Sequence, residues 1–168
     1  MNVFTVSFFG HRDFSEHYIY EDRVVDIIKE IIRTREYVEF LVGRNGEFDV
    51  FAASCVRRAK KELFADNSSL VLYLPYTSAE YENNQDSFDS FYDEVYICEK
   101  SSFAHYKAAI QIRNREMVNQ SDLIISYIKQ KSGGAYKTIK YAEKNRKEYN
   151  QHIFVRKKQK TLRNNRRL

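Results

Sequence analysis

Apolar stretches alternate with stretches of helical periodicity along almost the whole chain, and this alternation limits the fold more than any other feature of the sequence. The spacing predicts strands over Val3–Phe9, Tyr37–Val42, Ser69–Leu74, Glu94–Ile97, Asp122–Ile128 and His152–Val155. It predicts helices over Glu16–Thr34, Asp49–Leu63, Phe103–Asn119 and Ala135–Tyr149, with Ser15 and Asp49 as N-caps, and a long loop over 76–93. Such alternation favours an α/β fold, a Rossmann-like, doubly wound, mostly parallel sheet with helices on both faces.

The composition fits one globular domain. Of the 168 residues, 43% are hydrophobic and 30% charged, which is typical of a folded chain with a core. We therefore predict a single domain over residues 1–155 and a basic tail over 156–168. Two cysteines are too few for a disulfide framework, and no apolar run reaches the roughly 20 residues of a membrane helix. These features predict a soluble, cytoplasmic protein with no membrane partner.

The net charge of +5 comes from the tail. Residues 156–168 hold seven Lys and Arg and no acid, and the rest of the chain carries 21 basic against 23 acidic side chains. Such a tail can bind nucleic acid or an acidic surface, or it can be a solvated terminus. Nucleic acid is therefore a possible partner, mainly through the tail, with Lys131 and Lys137 near the predicted crevice.

In a doubly wound sheet the ligand crevice lies beyond the carboxyl ends of the strands, so the loops after strands one, two, four and five are the candidates. The loop after the first strand reads Gly10-His11-Arg12. Glycine permits close approach of a ligand to the backbone, and His11 and Arg12 supply donors for a phosphate or carboxylate. An ordinary tight turn with solvated side chains is the alternative.

The loop after the second strand runs from Gly43 to Asp49 and includes Gly46 and Glu47. Its two glycines do not form the three-glycine dinucleotide fingerprint. As an N-cap, Asp49 would repel phosphate from the following helix, so a ligand here would be contacted at its ribose hydroxyls or base edge. A purely structural role of Asp49 as a helix cap is the alternative. Glu47 and His11 are the candidate catalytic residues, with Glu47 as a possible general base.

The loop after the fifth strand contains Ser132, Gly133 and Gly134 at a helix start with no acid in its first turn. Free backbone N–H groups there would bind an anion, although an ordinary glycine turn has the same sequence. On the preceding helix, Arg113 lies on the apolar stripe beside Asn114. Because a guanidinium is rarely buried without a partner, Arg113 either pairs with a carboxylate inside the fold or reaches an acidic ligand.

The four histidines show no spacing with cysteines or carboxylates that indicates a zinc site, so no metal is predicted. The predicted loop over 76–93 interleaves aromatic and acidic residues. A loop of this length is uncommon unless it is a lid, a binding segment or disordered. Its aromatic side chains could stack on a base or pack over a sheet edge.

Taken in order along residues 3–155, these motifs resemble the SLOG superfamily. The resemblance rests on Phe9-Gly10-His11-Arg12, the 43–49 loop, Arg113-Asn114 to Met117, Ser121-Asp122 and Ser132-Gly133-Gly134-Ala135. That superfamily unites the DNA-processing protein Smf/DprA with the Lonely Guy phosphoribohydrolases, and the chain looks most like its small bacterial members that begin with Gly-His-Arg. The Lonely Guy pattern continues from its glycines to a glutamate, whereas this chain has no acid after Gly134 until Glu143.

The resemblance implies a pocket for a nucleotide or nucleotide-derived ligand at the matched residues. The first function we expect is therefore binding or sensing of such a ligand, with no other cofactor predicted. One alternative is a hydrolase of a nucleotide N-glycosidic or phosphate bond; the other is a DprA-like accessory protein that binds single-stranded DNA. A homo-oligomer is implied by the resemblance only.

Overall fold

A computed structural model describes residues 2–145 and 152–154. The strands are β1 (Val3–Gly10), β2 (Tyr37–Val42), β3 (Ser68–Leu74), β4 (Glu94–Ile97), β5 (Leu123–Tyr127) and β6 (His152–Phe154). The helices are α1 (His17–Thr34), α2 (Glu47–Leu63), α3 (Ala79–Asn83), α4 (Gln85–Phe91), α5 (Glu99–Ser102), α6 (Tyr106–Gln120) and α7 (Gly133–Asn145). The basic tail at 156–168 and the predicted strand end at Val155 lie outside the described residues.

The described strands form one parallel sheet in the order β4-β3-β2-β1-β5-β6. Strand β1 pairs with β2 on one side and with β5 on the other. The chain therefore builds outward from β1 in one direction and then crosses to build in the other. This reversal opens a crevice at the carboxyl ends of β1 and β5. The predicted Rossmann-like α/β fold is confirmed.

Alternate residues of β1, β2, β3 and β5 supply two separate cores, one on each face of the sheet. One face packs against α1, α2 and α4, with Phe8, Phe40 and Leu72 fully buried. The other face packs against α6 and α7, with Ile124, Met117 and Ile139 in its centre. The helices therefore cover both faces, which explains why β3 is buried along its whole length and why its residues 70–74 form an uninterrupted apolar run.

The long loop predicted over 76–93 is wrong, because this segment contains α3 and α4. Ser78 caps α3, since its side chain accepts a hydrogen bond from the backbone N–H of Tyr81. Phe88 and Tyr92 are buried against the α2 side of the core. The aromatic side chains thus pack over the sheet edge, which is one of the two arrangements predicted for them. The acidic residues between them face outward.

The predicted helix starts also need correction. Helix α1 begins at His17 and is preceded by Glu16, which makes no side-chain cap, so Ser15 is not the N-cap. Helix α2 begins at Glu47 after Gly46, which places Asp49 inside the first turn. The segment predicted as one helix from Phe103 is preceded by the short α5, and α6 begins at Tyr106. Helix α7 begins at Gly133, two residues before the predicted Ala135.

Within the described part of the chain, no helix combines the length and apolar character needed to cross a membrane.

Candidate functional site

A cavity of about 480 Å³ opens at the carboxyl ends of β1, β2 and β5, at the point where the strand order reverses. Helix α6 forms its floor with Arg113, Asn114 and Met117. The loop after β4 supplies none of the lining residues, which corrects the expectation that four loops meet here. Every predicted ligand-binding residue except Glu47 lines the cavity: Gly10, His11, Arg12, Gly43, Gly46, Asp49, Arg113, Asn114, Ser132, Gly133 and Gly134.

Gly10 allows β1 to pass close to an aromatic ring of α2. A Cβ atom at this position would lie 2.2 Å from Cγ of Phe48, well inside van der Waals contact. Phe48 is fully buried, so its ring has little room to move aside. The glycine is therefore required for packing inside the protein, in addition to its place on the cavity wall.

The segment from Arg12 to Phe14 is fixed to the start of α2 by three hydrogen bonds. The Arg12 carbonyl accepts from the backbone N–H of Glu47 at 2.8 Å, and the Arg12 Nε donates to the Asn45 carbonyl at 3.1 Å. The carboxylate of Glu47 accepts from the backbone N–H of Phe14 at 2.6 Å. Glu47 lines a second, more open cavity and not the main one. Its carboxylate is therefore engaged away from the main cavity, where a general base for the ligand would have to lie.

Two side chains connect the loops that follow β1 and β5. His11 accepts a hydrogen bond at Nε2 from the backbone N–H of Gln130, at 3.0 Å. Glu16 accepts from the hydroxyl of Tyr127 at 2.8 Å and lies 3.7 Å from the ammonium group of Lys129. Partial burial lowers the pKa of His11 below the usual 6.5, which favours the neutral imidazole that such an acceptor requires.

Arg113 is 2% exposed and is held by acceptors inside the fold. Its Nη1 donates to the Tyr73 carbonyl, and its Nη2 donates to Oδ1 of Asn45 at 2.8 Å. No described group accepts from its Nε. The guanidinium is therefore anchored inside the fold on a carbonyl and an amide oxygen, and it also borders the cavity. Its contact with an acidic ligand stays a prediction.

Asp49 faces Arg113 across Gly43. A Cβ atom at Gly43 would lie 2.8 Å from Oδ2 of Asp49 and 2.8 Å from Nη1 of Arg113, so only glycine leaves room for both groups. Oδ2 of Asp49 also accepts from the backbone N–H of Asn45 at 2.8 Å. Burial raises the pKa of Asp49, and the positive charge of Arg113 opposes that increase. Burial likewise lowers the pKa of Arg113, which Asp49 opposes, although a guanidinium stays protonated in either case.

The start of α7 presents backbone to the opposite wall of the cavity. Gly133 has a φ of +85°, a backbone conformation that residues other than glycine rarely adopt. The first turn contains no acid, so the positive end of the helix is not neutralised from within. Asn114 reaches α7 from below, where its Nδ2 donates to Oγ1 of Thr138 at 3.1 Å. The Asn114 side chain thus ties α6 to α7 under the cavity.

Sequence reasoning missed several residues that line the cavity, including Asn45, Gln111, Lys129 and Gln130. Asn45 lies between the two glycines of the loop after β2, and its three hydrogen bonds to Arg12, Asp49 and Arg113 appear only in the folded chain. Lys129 and Gln130 lie in the loop after β5, where the rule that ligands bind at the carboxyl ends of parallel strands predicts site residues.

Among residues 2–145, no group of three or more His, Cys, Asp or Glu side chains is placed to hold a metal ion. Both cysteines are buried and unpaired, and burial raises the pKa of the Cys55 thiol to about 12. This shift keeps the thiol protonated and unreactive at neutral pH.

Comparison with models of known protein families finds none that the chain matches, and comparison with curated proteins finds no significant relative. Membership of the SLOG superfamily therefore stays a prediction from the motifs.

Proposed function

We propose that the cavity binds a nucleotide or nucleotide-derived ligand. One observation carries the proposal: the uncompensated N-terminus of α7 and the partly buried carboxylate of Asp49 line the same cavity. A nucleotide has an anionic phosphate at one end and neutral hydroxyl and base groups at the other. A site with a positive helix end on one wall and hydrogen-bond acceptors on another matches that division of charge.

In this proposal the phosphate of the ligand binds at the N-terminus of α7. The first backbone N–H groups of a helix have no partners within the helix and point along its axis, where they attract an anion. Ser132 and Lys129, which carry a hydroxyl and an ammonium group, also line the cavity. Since glycine occupies the first two positions of α7, no side chain there shields the backbone from a phosphate.

The sugar or base of the ligand binds at the cavity wall formed by Asp49 and Asn45. The negative charge of Asp49 disfavours phosphate and accepts hydrogen bonds from ligand hydroxyl or amino groups. The Asn45 backbone N–H already holds the carboxylate in place, so little conformational entropy is lost on binding. The cavity volume also lies within the few hundred to one thousand Å³ usual for small-molecule sites.

A thermal-shift screen against mononucleotides and dinucleotides tests the proposal. A ligand that binds only the folded state stabilises it by about 2.7 kcal/mol at a hundredfold excess over its Kd, which raises Tm. The matched variants are Ala135→Asp and Ala135→Asn, in the first turn of α7. Both add a side chain of the same size at the cavity wall, but only Asp places a negative charge at the helix start.

We expect at least one nucleotide to raise the Tm of the parent protein and of Ala135→Asn, and to have a much smaller effect on Ala135→Asp. Absence of any shift across the panel would contradict the proposal. An equal shift in both variants would contradict the location of the phosphate at α7.

A further inference from the structure

The hydrogen bond between His11 and Gln130 requires one protonation state of the imidazole. Nε2 accepts from the backbone N–H of Gln130 at 3.0 Å, so in this arrangement the single ring proton is on Nδ1. An imidazolium has protons on both nitrogens and can accept no hydrogen bond. Protonation of His11 therefore replaces the acceptor at Nε2 with a donor that faces another donor.

The bond lies at a place where it can control the anion end of the cavity. Gln130 is three residues before Gly133, in the connection that leads from β5 into α7. The His11 hydrogen bond and the 3.7 Å ion pair between Lys129 and Glu16 tie this connection to the loop after β1. Ser132 and Gly133, which follow, are exposed. The position of the backbone that enters α7 thus depends on His11.

We propose that His11 is a positioning residue for the anion end of the cavity, whose neutral imidazole holds Gln130 in place and whose protonation releases this connection and weakens anion binding. This inference rests on the proposed function, because it assigns His11 a role in that site. It also differs from a direct contact between His11 and the ligand, which the sequence had suggested.

The two roles predict opposite responses to pH. A His11 that contacts a phosphate directly gains a positive charge as pH falls, so the affinity for an anion would rise. A His11 that holds Gln130 loses its hydrogen bond as pH falls, so the affinity would decrease. The limit for a single linked proton is about tenfold per pH unit.

The surroundings of His11 set the pH at which this change occurs. The other charged side chains that line the cavity are Arg12, Asp13, Glu16, Asp49, Arg113 and Lys129. They include both signs, and the main influence on the His11 pKa is burial, which lowers it. The hydrogen bond is therefore complete above the ordinary histidine pKa of 6.5 and is lost as pH falls through the lower value of the folded protein.

The first part of the test needs no ligand. Nitrogen–proton NMR of the full chain reports the tautomer of His11 and the backbone amide of Gln130, between about pH 7.5 and about pH 5. We expect an Nδ1–H tautomer at the upper end and a shift of the Gln130 amide that follows His11 protonation. The matched variant is His11→Gln, whose side-chain oxygen occupies about the position of Nε2 and accepts a hydrogen bond at every pH.

The second part measures binding of inorganic sulfate, which remains a dianion over this range and does not add its own titration. For the parent protein we expect sulfate affinity to fall with pH, by no more than about tenfold per unit. For His11→Gln we expect little change, and for His11→Leu, which has no acceptor, weak binding throughout. Affinity that rises as His11 becomes protonated, or an Nε2–H tautomer, would overturn the inference.

The two proposals fail in different ways. If neither sulfate nor any nucleotide binds at any pH, the proposed function fails and the inference fails with it as a statement about binding. If nucleotides bind but the Gln130 amide does not respond to His11 protonation, the inference alone fails.

Discussion

A buried guanidinium needs acceptors for its donors and a compensating charge, and both are supplied to Arg113 by residues far away in the sequence. Asn45 accepts from Nη2, the Tyr73 carbonyl accepts from Nη1, and Asp49 provides the negative charge. Removal of one partner from such an arrangement leaves the other charge uncompensated in a partly dehydrated place. The free energy lost when Arg113 is replaced should therefore depend strongly on whether Asp49 is also replaced.

We predict that Arg113→Met lowers the free energy of unfolding by about 3–5 kcal/mol, because Asp49 is left without a nearby cation. In Arg113→Met/Asp49→Asn the loss should be smaller than the sum of the two single losses, with a coupling of about 0.5–3 kcal/mol. Urea denaturation of the parent protein, Arg113→Met, Asp49→Asn and the double variant completes this double-mutant cycle. Additive losses would show that Asp49 does not compensate Arg113.

At the scale of elements, the start of α2 is joined to the loop after β1, and this contact assigns Glu47 a structural role. Phe14, whose amide donates to Glu47, is 3% exposed and lies between the rings of Phe51 and Tyr127, at 4.9 and 4.7 Å between centroids. The carboxylate thus fixes the backbone of an aromatic residue that seals the core beneath the cavity.

We predict that Glu47→Ala lowers the free energy of unfolding by about 1 kcal/mol, since the Phe14 amide loses its acceptor. Nucleotide binding should be unchanged, because the carboxylate lies outside the main cavity. Glu47→Gln keeps an oxygen acceptor and serves as the control, with stability close to that of the parent. Chemical denaturation and the thermal-shift screen measure the two effects. If Glu47→Ala kept the stability of the parent protein but no longer bound or converted a nucleotide, Glu47 would again be a catalytic candidate.

At the scale of the whole molecule, the order of the strands determines which parts of the sheet open first. Strands β1 and β2 have a hydrogen-bonded neighbour on both sides and helices over both faces. Strand β4 has four residues, pairs with β3 alone among the described strands and alternates between exposed and half-buried positions. Local opening requires less free energy where fewer hydrogen bonds and apolar contacts must be broken.

We predict that backbone amides of β1 and β2 exchange with solvent only through global unfolding, whereas amides of β4 exchange through local opening. Native-state hydrogen exchange followed at increasing urea distinguishes these cases, since global openings become more frequent with denaturant and local openings hardly change. The amides of β3 that face β2 provide an internal control, because they should resemble the central strands. Equal protection in β4 and β1 would contradict the assignment of β4 as a weakly held edge.

Much of the fold could be predicted because strand and helix periodicities are local properties of the sequence. The apolar runs of β1, β2, β3 and β5 gave their positions to within one or two residues, and the alternation gave the parallel sheet. Helices α3 and α4 were missed because they are short and mostly polar, with few apolar residues to show a period. Their buried aromatic side chains are recognisable as core only when the sheet edge is present.

The candidate site was also predicted in part from the sequence, and the rest of it depends on tertiary packing. The rule that ligands bind beyond the carboxyl ends of parallel strands identified the correct loops after β1, β2 and β5 from sequence. It could not distinguish Glu47 from Asp49, which are two residues apart in the first turn of α2. On a helix they are separated by about 200° around the axis, so one faces the cavity and the other faces away. Which one faces the cavity depends on how α2 docks on β1.

The sequence by itself determined the class of the fold, the end of the sheet where a ligand can bind and the glycine-rich, acid-free start of α7, because these follow from local periodicity and chain direction. The tertiary structure alone decided that Asn45 joins Arg12, Asp49 and Arg113, and that His11 accepts from Gln130. Hydrogen bonds between distant segments depend on a fit of a few tenths of an ångström between packed elements, and no local pattern in the chain records that fit.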